Sequence, residues 1–118
     1  MNKLLHDFVM ESRDLLEGIG QDLLALECDP SNEEIVQRLF RSVHTIKGNS
    51  GFFGISPLEN LVHAAEDLLD RIRDGQILAS EEVIDVLLRT TDQVSEWIDS
   101  LEATEVLPPD AEVKGSSL

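Results

Sequence analysis

His44, Lys47, Gly48 and Gly51 crowd into one short stretch, and together they could handle a phosphoryl group. A neutral imidazole attacks phosphorus through one ring nitrogen, provided the other nitrogen keeps its proton and donates it to an acceptor. A carboxylate in that supporting position fixes the tautomer and raises the basicity of the attacking nitrogen. Glu66 is the candidate, because an adjacent antiparallel helix can bring it opposite His44. Lys47, one turn beyond His44, could meet the phosphoryl oxygens as a mobile point charge. Gly48 follows His44 by one turn on the same stripe. A glycine inside a helix costs about 1 kcal/mol relative to alanine, so Gly48 and Gly51 together need a reason. Close approach of a large partner to the imidazole is one.

These residues need a helix to hold them. Val36, Leu39, Phe40, Val43 and Ile46 recur at the three- and four-residue spacing of one buried face, and His44 falls well off its centre. The helix is expected over about 32–51, opened by a capping box of Ser31 and Glu34. A glycine-bounded connection, Gly51 to Gly54, should follow, with Phe52 and Phe53 folding back over the core. Upstream, Leu5, Phe8, Val9, Leu15, Leu16, Ile19, Leu23 and Leu26 predict a helix over about 4–28, ended by Asp29-Pro30-Ser31. Downstream, Ser56 as N-cap, Pro57 and Glu59 open a third helix over about 57–74, stopped by Gly75. Its apolar stripe runs from Leu58 to Ile72, while Glu59, His63, Glu66, Asp70 and Arg73 share a polar one. Ser80 caps a fourth helix, about 81–104, lined by Ile84, Leu87, Leu88, Thr91, Val94, Ile98 and Leu101. Short connections favour antiparallel neighbours, so the fold class is all-α, an up-down-up-down four-helix bundle spanning about 1–105. Pro108-Pro109 ends the pattern, and 106–118 reads as a linker or disordered tail.

Composition narrows the function. Twenty-four acidic residues against nine Lys and Arg give a formal net charge of −15, which argues against nucleic acid and anionic membrane as partners. No apolar run is long enough to span a bilayer, and Asp7 and Glu11 interrupt anything resembling a signal peptide. The single Cys28 permits no internal disulfide, and the chain is expected in the cytoplasm. Several of the few basic residues, Arg38, Arg41, Lys47, Arg71 and Arg73, fall on the second and third helices. The field around His44 is therefore less negative than the total implies.

Two readings of another class compete. Four-helix bundles also hold metals through inward-facing Glu and Glu-x-x-His motifs. Here no glutamate stands three residues before His44 or His63, and both histidines lie off the apolar stripes, so no metal site is expected. A plain helical docking module would not require the grouping of His44, Lys47 and Gly48.

The stretch His44-Thr45-Ile46-Lys47-Gly48-Asn49-Ser50-Gly51-Phe52-Phe53-Gly54 resembles the signature of histidine phosphotransfer (HPt) domains. It is most similar to the N-terminal domain of chemotaxis-type histidine kinases, the CheA family, and the likeness extends through Leu61-Val62-His63-Ala64-Ala65-Glu66. The resemblance implies that His44 is phosphorylated and that Lys47 is its phosphate-side partner. It makes Glu66 the hydrogen-bonding carboxylate and His63 a neighbour in the same network. It also implies a phosphoryl carrier with no ATP site or bound cofactor of its own, monomeric in isolation. ATP and Mg²⁺ would be supplied by partner domains: phosphate arrives from a kinase ATP-binding domain and leaves to an aspartate of a response regulator receiver domain. A stand-alone phosphorelay protein would share these features with a module of a longer bacterial kinase.

Overall fold

The computed structural model describes residues 3–104, and the expected tail at 106–118 lies outside them. Four helices fill that range: α1 (Lys3–Cys28), α2 (Glu33–Phe52), α3 (Ser56–Arg73) and α4 (Glu81–Thr104). Each packs on its sequence neighbour, and α4 closes the ring against α1, as an antiparallel up-down bundle requires. Ion pairs across the seams fix the register. Arg38 of α2 reaches Asp22 of α1 at 3.0 Å, and Arg13 of α1 pairs with both Asp99 and Glu102 of α4.

The core is the expected aliphatic one. Val9, Leu23, Leu26, Leu39, Ile46, Leu58, Leu69, Ile84 and Ile98 are fully buried. Trp97 joins them, although it did not stand out in the periodicity of α4, and Thr90 rather than Thr91 is buried there. Both threonines return their hydroxyls to carbonyls one turn earlier, which satisfies them without a partner helix.

Helix boundaries show where local chemistry differs from expectation. Asn32, not Ser31, caps α2: its Oδ1 accepts from the Ile35 amide at 3.2 Å, and its Nδ2 donates to Asp29. Asparagine caps as well as serine, and the added bond to Asp29 holds it there. Ser56 does not cap α3 but is its first residue, and Ile55 is the cap, with no side-chain bond. The cause lies in the preceding turn. Gly54 adopts φ +67°, its amide donates to Gly51 O, and Ile55 N donates to Ser50 O. That Schellman pair ends α2 and commits Ile55 to the turn, so α3 begins immediately with Pro57 in its first turn. Gly75 repeats the device at the end of α3, with φ +76° and bonds to Ile72 O and from Gln76 to Arg71 O. Ser80 caps α4 as expected, accepting from Val83 N.

The two phenylalanines of the α2–α3 connection part company. Phe53 turns in and meets Phe8 at 5.2 Å between ring centroids. Phe52 remains on α2, keeps the outward azimuth of that helix and stays 77% exposed. Only Phe53 closes the core.

Candidate functional site

His44 and Lys47 stand one turn apart on α2, facing the seam with α3. Glu66, placed by its spacing on the polar stripe of α3, is instead buried, at 8% exposure. Its two oxygens are divided between the α2 side chains. Oε2 lies 2.5 Å from His44 Nδ1, and Oε1 accepts from Lys47 Nζ at 2.8 Å.

Burial pushes the Glu66 carboxyl toward its neutral form. The hydrogen bonds from Lys47 and from His44, with the charges of both, outweigh that and hold it below the ordinary glutamate range. Glu66 is therefore a carboxylate at neutral pH, and a carboxylate only accepts. In the neutral imidazole the proton between it and His44 sits on Nδ1, and that tautomer leaves the Nε2 lone pair free on a side chain that is 61% exposed. Lys47 Nζ spends one of its three donors on Glu66 and can turn the others toward an incoming anion.

Gly48 leaves the ground beside the imidazole bare: a Cβ built there would meet nothing within 4 Å. Gly51 is different. Its Cβ would fall 2.5 Å from Glu59 Oε2, so the missing side chain makes room for a carboxylate of α3.

His63 is not drawn into the His44 cluster by any contact. It lies on α3 with Nε2 3.5 Å from Asp67 Oδ1, and both side chains are exposed. That distance is too long for a good hydrogen bond.

Two residues to which the sequence gives no role beside His44, Phe40 and Arg73, flank the site. The Phe40 ring, one turn before His44, lies within 10° of parallel to the imidazole, with centroids 6.0 Å apart. Arg73 of α3, ion-paired with Asp70, sets its guanidinium carbon 4.0 Å from the Phe40 centroid. Its spacing assigns Phe40 to the apolar face, and its place one turn from His44 is the signal for a role at the site. Among the described residues, no group of three His, Cys, Asp or Glu side chains is placed to hold a metal ion, and no helix is long and apolar enough to cross a membrane.

Comparison with known proteins then bears on this geometry. The profile of the Hpt domain family matches residues 3–104. The chain belongs to the Hpt domain family. Within it, this Hpt domain is of the CheA type. It is 38% identical over 92 residues to the sensor histidine kinase CheAY of Helicobacter pylori, covering 78% of this chain and 12% of that protein. It is 36% identical over 104 residues to the chemotaxis protein CheA of Halobacterium salinarum, covering 88% of this chain and 16% of that one. The Hpt domain thus spans under a fifth of the length of these relatives. Among solved structures, the CheA phosphotransferase domain from Thermotoga maritima superposes with a TM-score of 0.82 at 29% identity, over 86% of this chain and 99% of that one. The phosphorylated P1 domain of CheA3 in complex with CheY6 from R. sphaeroides does so with a TM-score of 0.86 at 26% identity, over 99% and 95%.

Proposed function

We propose that His44 Nε2 is the phosphoryl carrier of this Hpt domain, loaded by the ATP-binding domain of a CheA-type kinase and emptied by a receiver domain. The observation that carries the reading is the 2.5 Å contact between His44 Nδ1 and the buried Glu66 carboxylate. In the loading step Nε2 attacks the γ-phosphorus of Mg²⁺-ATP held by the kinase domain. An N–P bond forms, the bond to the bridging oxygen breaks, and ADP departs with its electron pair. The imidazole becomes more acidic and more cationic in character as the bond forms, and Glu66 stabilises it through the Nδ1 proton that it already holds. Lys47 neutralises charge on the transferred oxygens. In the unloading step an aspartate oxygen of the receiver attacks phosphorus, and the N–P electron pair returns to Nε2.

ATP and Mg²⁺ belong to the partner domains in this account, and the chain works as a phosphotransfer module in the cytoplasm, monomeric when isolated. The great length of its relatives supports a place within a longer kinase over a stand-alone relay protein. The assignment is tested with a CheA-type kinase domain, Mg²⁺ and ATP. One phosphoryl group, labile in acid and stable in base, should be added to the wild type, and His44→Gln should abolish it with helical content intact. Unchanged labelling of His44→Gln would reject His44 as the carrier.

A further inference from the structure

Glu66 holds the His44 ring at one atom, Nδ1, on a side chain that is otherwise largely exposed. The second side-chain torsion of an imidazole has broad wells, so one anchored atom sets the ring plane only loosely. A nucleophile whose lone pair must lie in line with phosphorus needs a second restraint. The structure supplies a face. The Phe40 ring, one turn before His44, lies 10° from parallel to the imidazole with centroids 6.0 Å apart, the spacing of an offset-stacked pair.

Phe40 is itself held from two sides. It is a partly buried side chain packed against the core, and Arg73 of α3 sets its guanidinium carbon 4.0 Å from the ring centroid. Asp70, one turn earlier on α3, ion-pairs with Arg73 and aims it. The dipole of α3 does not explain this placement, because the last turn of a helix favours a cation at any azimuth. What draws Arg73 across the seam is the face of an aromatic ring. Glu66, Asp70 and Arg73 follow one another at four and three residues, so they form one stripe of α3. That stripe grips the imidazole twice, in its plane through Glu66 and at its face through Phe40.

We propose that Phe40 is a positioning residue for phosphoryl transfer: its ring fixes the plane of the His44 imidazole so that Nε2 points at phosphorus, and Arg73, aimed by Asp70, holds the Phe40 ring in place. The inference rests on His44 being the carrier and adds what sets the orientation of its ring. Neither Phe40 nor Arg73 contacts the phosphoryl group in this account. Their effect is on population, the share of His44 side chains that present Nε2 in the productive direction. A stacked pair of this kind weights that share by a factor of about three to ten.

The test begins with NMR of the unphosphorylated, isotope-labelled chain. Three-bond couplings report the His44 rotamer, and the imidazole nitrogen resonances report how fast the Nδ1 proton exchanges with water. One rotamer should dominate in the wild type. Phe40→Leu keeps an apolar side chain against the core but removes the ring; it should average the couplings and speed the exchange, and Phe40→Tyr should restore both. Arg73→Gln alters no core position and should move the same signals in the same direction by less. With a CheA-type kinase domain, Mg²⁺ and ATP, Phe40→Leu should lower the maximal loading rate roughly three- to tenfold at unchanged KM for the chain, and Phe40→Tyr should recover it. Wild-type couplings in Phe40→Leu or in Arg73→Gln overturn the proposal. So does a raised KM at an unchanged maximal rate, which makes Phe40 a contact for the partner instead. Ring order is read before any phosphate is present, so failure here is distinct from failure of His44 to be phosphorylated.

Discussion

Glu66 Oε2 sits 2.5 Å from His44 Nδ1, joining a buried carboxylate to an imidazole whose side chain is largely exposed. On the proposed reading phosphorus is attacked and carried through Nε2, because Nδ1 is engaged by Glu66.

Glu66→Ala should therefore leave the fold largely intact while impairing the carrier. Deleting the carboxylate removes two charge-assisted hydrogen bonds but also the cost of burying a charge, so stability should change by only about 1 kcal/mol in either direction. Loading by a kinase domain should slow by roughly 10–100-fold, the usual consequence of losing a partner that orients a reactive histidine. Thermal unfolding and initial phosphorylation rates check the two halves separately. A normal rate would reduce Glu66 to a structural ion-pair partner.

Acid should dissolve this arrangement in a defined direction. The folded-state pKa of Glu66 is depressed, because the bonds from Lys47 and His44 overcome its burial. A depressed carboxyl contributes stability that is present above its unfolded pKa and lost as pH falls through its folded one. The stability difference between wild type and Glu66→Gln should thus hold steady near neutrality and shift against the wild type below the ordinary glutamate range. Denaturant midpoints across pH measure it; a shift in the wild type's favour on acidification would contradict the sign.

Lys47→Ala should push Glu66 the other way. With the lysine gone, burial is opposed by His44 alone, and the carboxyl should titrate at higher pH than in the wild type. Carbon-detected NMR of the Glu66 side chain reads this directly. Transfer should slow as well, because charge on the transferred oxygens loses its neutralising partner.

Gly48→Leu separates stability from access. A Cβ at this position meets open space, and the helix gains somewhat under about 1 kcal/mol of propensity, so thermal stability should rise slightly. Transfer to the receiver should nevertheless fall at least tenfold, as the new side chain occupies the approach to Nε2. Normal transfer would mean that the partner comes from another side.

The bundle and the central pair of this site were legible because they follow from spacing. Helical periodicity placed His44 off the apolar face, and antiparallel neighbours allowed Glu66 to reach it. What spacing could not supply was depth. Glu66 shares a stripe with the partly buried Asp70 and the exposed His63, and only the packing of α2 on α3 shows that it alone of the three is deeply buried. Phe52 and Phe53 are adjacent and alike, and their opposite fates depend on the turn at Gly54. The cation over Phe40 is a tertiary event between residues far apart in sequence. The Ser31 and Ser56 caps failed because Asn32 offered a competing oxygen and because the Schellman turn consumed Ile55.

Locating the N–P bond tests the central claim most directly. Phosphorus NMR of the loaded chain, with the imidazole nitrogens isotope-labelled, distinguishes attachment at Nε2 from attachment at Nδ1. The geometry predicts one phosphoryl group on His44, bonded to Nε2, with the Nδ1 proton retained against Glu66. A phosphoryl group on Nδ1 of His44, or on His63, would contradict it.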